Sequence, residues 1–379
     1  MLMRRKLCAV VLFAAIVILM LASQTIQRRH LLSLSLAPPL SRATPSRGAT
    51  EMRAGPAADL TPDPAATPPP PSAARPDSQE AEPEGDPRAA GHAPVQPSPC
   101  GCADPCVSEL GASRWFGERF DPQQQPVLLS SSSNMDGEAL RWWLGLQRSN
   151  DEQTLEEVMS KMFRVISPPT LDLRPRPSRC RSCAVVGNSG NLRHSRHGGL
   201  IDSHSSVIRM NKAVTRGFEE DVGNRTTHHF LYPESAVDVG RGVSLVLLPF
   251  KLRDLEWLTS ALSTGQVKMT YMRVRDRVQA DKDKVLVVNP VFFKYVHDRW
   301  TEHHGRYPST GMLALVFALH TCDQVSVFGY GADQQGNWHH YWEENRYAGA
   351  FRKTGVHNAD FETQIIQRLA KEGKISLHL

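Results

Sequence analysis

The sequence predicts an α/β fold in which helices cover both faces of a mostly parallel sheet. Short apolar runs that suit buried strands recur after residue 180 of the 379-residue chain, at 184–186, 243–248, 285–288 and 325–328. Stretches with helical character, such as 254–263 and 292–302, separate these runs. Strands that alternate with helices favour parallel pairing, because each return to the sheet then passes through a crossover helix.

Two further helices are predicted from their flanking residues. Ser309 or Thr310 can cap a helix whose residues 312–319 are all apolar, so we expect that helix to be buried. Trp142 and Trp143 lie on an amphipathic helix near the start of the same domain, and we expect them to pack in the core.

The amino terminus predicts membrane attachment. Arg4, Arg5 and Lys6 precede an uncharged apolar run that begins at Leu7 and is close to the lower limit of about 17 residues for a span. We predict a cytoplasmic tail over 1–6 and an uncleaved signal anchor over 7–23, with the remainder in the lumen. A cleaved signal peptide is the alternative.

The composition of residues 24–99 predicts a disordered, proline-rich stem. Sixteen of the chain's 27 prolines lie between Pro38 and Pro99, and that stretch has no aromatic residue. Such a composition cannot form a packed core, so we expect a spacer. The lumenal domain then spans 100–379.

The cysteines predict disulfide bonds in that domain. Cys8 lies in the apolar run, and six others follow it: Cys100, Cys102, Cys106, Cys180, Cys183 and Cys322. An even number in an oxidising compartment favours three disulfides, for which fifteen pairings exist. A redox pair or half of a zinc site at Cys180 and Cys183 is the alternative.

Two glycine-containing turns predict a nucleotide-binding crevice. Residues 187–191 (Gly-Asn-Ser-Gly-Asn) and 329–333 (Gly-Tyr-Gly-Ala-Asp) each follow a predicted strand. Parallel strands place such turns at one edge of the sheet, where ligands bind. The first turn is not a dinucleotide fingerprint, and Ser189 lacks the glycine at 191 that a nucleophile elbow needs. A polar, neutral turn favours a sugar-nucleotide, although a hydrolase using Ser189 is an alternative.

Charge and metal motifs narrow the function further. The net charge of +5 is mild and not clustered, which argues against a nucleic-acid partner. Asp281-Lys-Asp283 resembles a cation-binding Asp-x-Asp, but it precedes a strand and so lies at the wrong edge of the sheet. No His-Glu-x-x-His occurs, and we predict no metal site. Asn224 begins the sole glycosylation sequon.

Four ordered motifs between about 180 and 370 resemble those of the animal sialyltransferases. Residues 183–193 (Cys-Ala-Val-Val-Gly-Asn-Ser-Gly-Asn-Leu-Arg), continuing to 209–212, look like the long sialylmotif. Residues 304–311 (His-Gly-Arg-Tyr-Pro-Ser-Thr-Gly) through Cys322 resemble the short motif. The third motif is matched by 339–342 (His-His-Tyr-Trp), and the very short one by His357 with Glu362.

The resemblance implies a GT-A-like variant with one Rossmann-type sheet and a metal-independent, inverting transfer of sialic acid from CMP-N-acetylneuraminate. Blocks 293–304 and 344–349 are most similar to β-galactoside α-2,3-sialyltransferases that act on Galβ1-3GalNAc, type 2 before type 1. A type II Golgi membrane enzyme acting on glycoproteins or glycolipids is then expected, and stem cleavage would release a secreted form. A homodimer is left open, and a catalytically silent glycan-binding member is the alternative function.

The resemblance also assigns roles to single residues. His357 would be the general base, and His340 would donate to the departing phosphate. The expected donor-binding residues are Asn188, Asn211, Ser309, Gly311, Gly331 and Trp338. The expected acceptor-binding residues are Gln147, Tyr271 and Tyr307. The implied disulfides are Cys183–Cys322, Cys102–Cys180 and Cys100–Cys106.

Overall fold

The computed structural model describes residues 100–379 except 105, 110–112, 133–134, 148–153, 171–175 and 333–354. The predicted cytoplasmic tail, signal anchor and stem lie outside the described residues. Within the described part, no helix combines the length and apolar character that a membrane span requires.

Seven parallel strands of the described residues form a single sheet. Their bounds are β1 Ser182–Val186, β2 Ser206–Met210, β3 His228–Leu231, β4 Ser244–Leu247, β5 Val285–Val287, β6 Gln324–Phe328 and β7 Ser376–His378. The strand order is β5-β4-β3-β2-β1-β6-β7, and every described pair is parallel. The predicted α/β fold is therefore confirmed. Apolar runs did not reveal β2 and β3, because Arg209, His228 and His229 interrupt them.

Helices cover both faces of this sheet. The described α-helices are α1 Arg114–Arg119, α2 Gly137–Leu144, α3 Leu155–Met162, α4 Gly198–Ser203, α5 Glu219–Val222, α6 Leu252–Ala261, α7 Pro290–Tyr295, α8 Thr310–Thr321 and α9 Ala359–Lys371. A π-helical turn, Val296–Trp300, continues α7. The described 3-10 turns lie at Gly190–Leu192, Pro233–Ser235 and Lys282–Lys284.

Helix α8 is the central helix of the main core cluster. Ser309 caps it by accepting a hydrogen bond from the Met312 N–H. Residues 312–319 of α8 are all buried, as their uniformly apolar sequence predicts, and His320 is buried as well. It packs against β1, β2, β3 and β6, which holds its amino end near the carboxyl edge of the sheet. In α2, Trp143 is also fully buried, and its indole Nε1–H donates to the Pro249 carbonyl.

The strand order places a topological switch point between β1 and β6. From β1 the chain adds β2, β3, β4 and β5 on one side, whereas β6 and β7 lie on the other. The connections that leave the carboxyl ends of β1 and β6 therefore run in opposite directions and open a crevice, the usual ligand site of such sheets.

All three disulfides implied by the resemblance are present: Cys100–Cys106, Cys102–Cys180 and Cys183–Cys322. The Cys183–Cys322 bond joins β1 to the residue that ends α8, with a Cα–Cα distance of 6.0 Å. It closes a sequence separation of 139 residues and fixes the start of β1 to the chain that leads into β6.

We predict that this long-range disulfide contributes more stability than the short-range one. Chain-entropy arguments give about 5 kcal/mol for a loop of the length closed by Cys183–Cys322 and about 2 kcal/mol for that closed by Cys100–Cys106. The paired variants Cys183→Ala/Cys322→Ala and Cys100→Ala/Cys106→Ala should lower the free energy of unfolding in that order, as measured by urea denaturation. A larger loss in the Cys100/Cys106 variant would contradict this ranking.

Candidate active site

A cavity of about 240 Å³ opens at the carboxyl edge of the sheet beside the switch point. It is lined by every sequence-predicted binding or catalytic residue that the structure describes: Gln147, Asn188, Asn211, Tyr271, Tyr307, Ser309, Gly311, Gly331 and His357. Residues separated by more than 200 positions in the chain therefore share one site. The other two, Trp338 and His340, lie outside the described residues.

The floor of the cavity is a contact between the two glycine turns. The Gly187 N–H donates to the Phe328 carbonyl at 2.8 Å, and the Ser189 N–H donates to the Gly329 carbonyl at 2.9 Å. A Cβ atom at Gly187 would lie 2.3 Å from the Gly329 oxygen. Only glycine permits this approach, so the turn that follows β1 is held against the turn that follows β6.

Two asparagines present unpaired amide oxygens at the cavity wall. The Asn188 side-chain amide donates to the Met210 carbonyl at 3.5 Å. Asn211 adopts a left-handed backbone with φ 59°, and its N–H donates to the Phe230 carbonyl. The side-chain oxygens of Asn188 and Asn211 are buried and have no hydrogen-bond partner among the described residues. Such groups cost about 1–3 kcal/mol each, so both positions favour a ligand that donates hydrogen bonds.

Helix ends supply the positive potential of the cavity. Ser309, Thr310 and Gly311 line it at the amino end of α8, and Ala359 lines it at the amino end of α9. The first N–H groups of a helix have no partner within the helix and attract anions. No lysine or arginine is among the described residues that line the cavity. An anionic ligand here meets backbone N–H dipoles instead.

Glu362 connects these two helix ends. It lies in the first turn of α9, and its carboxylate accepts hydrogen bonds from the Ser309 N–H at 2.8 Å and from the Ser309 hydroxyl. Burial raises the pKa of Glu362 to about 7, against the opposing effect of those hydrogen bonds. The side chain therefore reaches neutral pH partly protonated, which limits the negative charge beside an anion-binding surface.

His357 has a defined tautomer. Its Nδ1 lies 2.9 Å from the Tyr307 carbonyl oxygen, which can only accept, so Nδ1 carries the proton. In the neutral ring, Nε2 then holds the lone pair. An antiparallel bridge between Gly305 and His357 fixes the backbone at this point. The geometry suits a general base that takes a proton at Nε2.

A chain of polar contacts begins at Tyr307, next to His357. The Gln147 side-chain amide donates to the Tyr307 hydroxyl at 3.2 Å, and the Gln147 oxygen accepts from Lys251 Nζ at 3.0 Å. Lys251 Nζ also lies 5.0 Å above the ring of Tyr271. The three predicted acceptor residues are therefore coupled through one buried ammonium group.

Sequence reasoning missed Lys251 and its two carboxylate partners. Lys251 is only 2% exposed and pairs with Asp254 at 2.7 Å and with Glu234 at 3.4 Å. Burial raises the pKa of Asp254 to about 7, although Lys251 acts in the opposite direction. A signal was available, because Lys251 and Asp254 closely follow the apolar run of β4, where polar residues reach a ligand edge.

The remaining motifs lie outside the chemistry of this cavity. Asp281-Lys-Asp283 precedes β5 at the opposite edge of the sheet, as predicted, and does not line the cavity. Ser189 lines the cavity but caps the Gly190–Leu192 turn, and its described hydrogen bonds involve no histidine. Asn224 is exposed on the surface, as a glycan acceptor must be.

Comparison with known proteins decides the family. Residues 127–374 match the model of glycosyltransferase family 29, the sialyltransferases. The chain belongs to this sialyltransferase family. It is thus a glycosyltransferase, and the resemblance seen in its four motifs is confirmed.

Individual relatives agree with this assignment. The chain is 56% identical over 280 residues to CMP-N-acetylneuraminate-beta-galactosamide-alpha-2,3-sialyltransferase 2 of Rattus norvegicus, covering 74% of this chain and 79% of the relative. It is 50% identical over 285 residues to sialyltransferase 1 of the same name from Homo sapiens, covering 75% and 83%. A crystal structure of a mammalian sialyltransferase in complex with Gal-beta-1-3GalNAc-ortho-nitrophenol matches with a TM-score of 0.68 and 46% identity, covering 74% and 99%.

We predict that Glu362 makes the stability of this sialyltransferase depend on pH. Because its pKa is about 7 in the folded state and 4.5 ordinarily, its contribution is full below pH 4.5 and is lost as pH rises to about 7. The loss is at most about 3 kcal/mol. Glu362→Gln should remove this part of the pH dependence, measured by urea denaturation at pH 5 and pH 8.

The exposed variant Glu220→Gln serves as the control and should keep the wild-type pH dependence. An unchanged pH dependence in Glu362→Gln would show that the buried carboxyl does not titrate in this range.

Proposed function

We propose that this sialyltransferase transfers sialic acid from CMP-N-acetylneuraminate to the 3-hydroxyl of the terminal galactose in Galβ1-3GalNAc, with inversion of configuration. The relatives support the coarser activity, α-2,3 transfer to β-galactosides. The observation that most directly supports the chemistry is the His357 tautomer, whose Nδ1 is occupied by the Tyr307 carbonyl. Acceptor identity is inferred from the relative whose structure contains a Gal-beta-1-3GalNAc compound.

The proposed reaction is a single displacement. The galactose 3-hydroxyl oxygen attacks the anomeric carbon of sialic acid and forms the new glycosidic bond, while the bond from that carbon to the phosphate oxygen breaks. The bonding electron pair leaves with CMP, and the hydroxyl proton moves to His357 Nε2. Attack opposite the leaving group inverts the anomeric centre. His340, outside the described residues, is proposed to donate to the departing phosphate.

The donor side of the cavity fits an anion without a metal clamp. CMP-N-acetylneuraminate contains one phosphate and one carboxylate, so less charge develops than on a diphosphate leaving group. The amino end of α8 offers N–H groups for these anions at Thr310 and Gly311, and Ser309, whose own N–H donates to Glu362, is proposed to line the same subsite. Asn188 and Asn211 offer amide oxygens for donor groups of the nucleotide, and Gly331 and Trp338 are proposed to complete this subsite.

The acceptor side fits a sugar with several hydroxyls. Gln147, Tyr271 and Tyr307 present an amide and two phenol groups on the same cavity as His357. Lys251 Nζ donates to the Gln147 side-chain oxygen and lies over the Tyr271 ring, so these side chains are oriented before the acceptor binds. Preorganised hydrogen-bonding groups of this kind discriminate between hydroxyl positions better than an apolar wall does.

We further propose that residues 7–23 anchor the chain in the Golgi membrane with the domain in the lumen. The stem would separate the two, Asn224 would bear a glycan, and cleavage in the stem would release a secreted form. Homodimer formation is also part of this proposal. None of these features affects the chemistry at His357.

The proposal predicts metal-independent transfer that depends on His357. Wild-type protein should sialylate Galβ1-3GalNAc in the presence of EDTA, with lower efficiency on Galβ1-4GlcNAc, in a radiolabelled CMP-sialic acid assay. His357→Gln keeps a hydrogen-bonding side chain but removes the base, so kcat should fall by about 10²–10⁴ with little change in donor KM.

His194→Asn, on an exposed histidine outside the cavity, is the control and should retain wild-type kcat. Full activity of His357→Gln, or a strict metal requirement, would overturn the mechanism. Donor and acceptor binding by wild-type protein without any transfer would favour the catalytically silent alternative.

A further inference from the structure

We propose that His297, Asp298 and His303 form a binding site for a divalent transition-metal ion such as Zn²⁺, separate from the catalytic cavity. One ligand atom from each side chain lies within 4.8 Å of the other two. None of the three residues lines the cavity. The cluster has no role in the proposed transfer reaction.

The spacings of the Asp298 oxygen from the two histidine nitrogens match those of a tetrahedral ion. Asp298 Oδ1 lies 3.3 Å from His297 Nδ1 and 3.5 Å from His303 Nδ1. Zinc binds imidazole nitrogen and carboxylate oxygen at about 2.0–2.2 Å, which places two ligands of a tetrahedron about 3.3–3.6 Å apart. Three protein ligands leave a fourth position for water. Imidazole and carboxylate together suit zinc better than magnesium.

Hydrogen-bond acceptors lie next to both ring nitrogens of His297, which favours a bound cation. Its Nε2 faces the Gly305 carbonyl oxygen at 3.4 Å, and its Nδ1 faces Asp298. Both neighbours are acceptors, whereas a neutral imidazole has a single N–H. If Nε2–H donates to Gly305, the Nδ1 lone pair points toward the carboxylate. A bound metal ion resolves this conflict, and the Gly305 contact then orients the ring as an outer-shell partner.

The second carboxylate oxygen of Asp298, Oδ2, contacts a lysine and not a histidine. Lys294 Nζ donates to Oδ2, which leaves Oδ1 directed at the two histidines. Lys294 also pairs with Glu138 at 3.0 Å. With neutral histidines, one lysine and two carboxylates give the group a net negative charge, so the ammonium does not exclude a cation.

The backbone brings the three ligands together by an irregular path. His297 and Asp298 lie on the π-helical turn Val296–Trp300, and the Thr301 N–H closes it by donating to the Val296 carbonyl. His303 then adopts a left-handed conformation, with φ 62°, and its N–H donates to the His297 carbonyl. This fold-back places His303 next to Asp298. The ring of Trp142 packs against the ring of His297, with 5.0 Å between the ring centroids.

Zinc binding to the purified full-length protein tests the proposal. The variants are His303→Asn and Asp298→Asn, and His194→Asn is the matched control. His194 and His303 are both exposed and both have positive φ, 66° and 62°, a conformation that asparagine tolerates. Titration calorimetry with Zn²⁺ and thermal unfolding with and without Zn²⁺ provide two readouts that involve neither donor nor acceptor.

We expect wild type and His194→Asn to bind one more Zn²⁺ per chain than the two ligand variants, or to bind it at least about 10-fold more tightly. Zn²⁺ should raise the Tm of wild type and His194→Asn more than that of His303→Asn, and Mg²⁺ should not reproduce the difference. Equal Zn²⁺ affinity and equal Tm shifts in all four proteins would overturn the proposal and leave a proton as the cation between these groups.

Discussion

The close approach of the turns after β1 and β6 is the constraint on which the site depends. Gly187 lets the two backbones touch, since a Cβ atom there would lie 2.3 Å from the Gly329 carbonyl oxygen, and a Cβ atom at Gly329 would lie 2.3 Å from the Leu192 side chain. Because the turns touch, the crevice between β1 and β6 has a floor of peptide groups. At the other end of the same two strands, the Cys183–Cys322 bond joins the start of β1 to the end of α8. The donor and acceptor sides of the cavity extend from this contact between the two turns.

Among the described residues, no lysine or arginine side chain lines this cavity. The amino ends of α8 and α9 supply the positive potential, and Glu362 joins them through Ser309. A fully ionised carboxylate would oppose an anionic donor, so the raised pKa of Glu362 is consistent with the proposed ligand. On the acceptor side, the charge of Lys251 is balanced by Glu234 and Asp254, and its effect reaches the cavity through Gln147 and Tyr271.

The sequence predicted those features of the fold that a local pattern of residues determines. Apolar runs located four strands, the cap at Ser309 located α8, and the two glycine turns located the ligand edge. The disulfide pairing and the residue roles came from resemblance to a family, since spacing alone left fifteen pairings. The Lys251 network and the His297 cluster were missed because their partners are distant in the chain or meet through a π-helical turn. Only the folded backbone brings such groups together.

The central claim is that the crevice between β1 and β6 receives the nucleotide of the donor. A crystal structure of the full chain with CMP, grown in the presence of EDTA, tests it most directly. The account predicts that the phosphate lies within hydrogen-bonding distance of the amino end of α8, with the nucleoside against Asn188 and Asn211. CMP bound elsewhere on the molecule, or bound in this crevice only when a metal ion bridges its phosphate to the protein, would contradict the account.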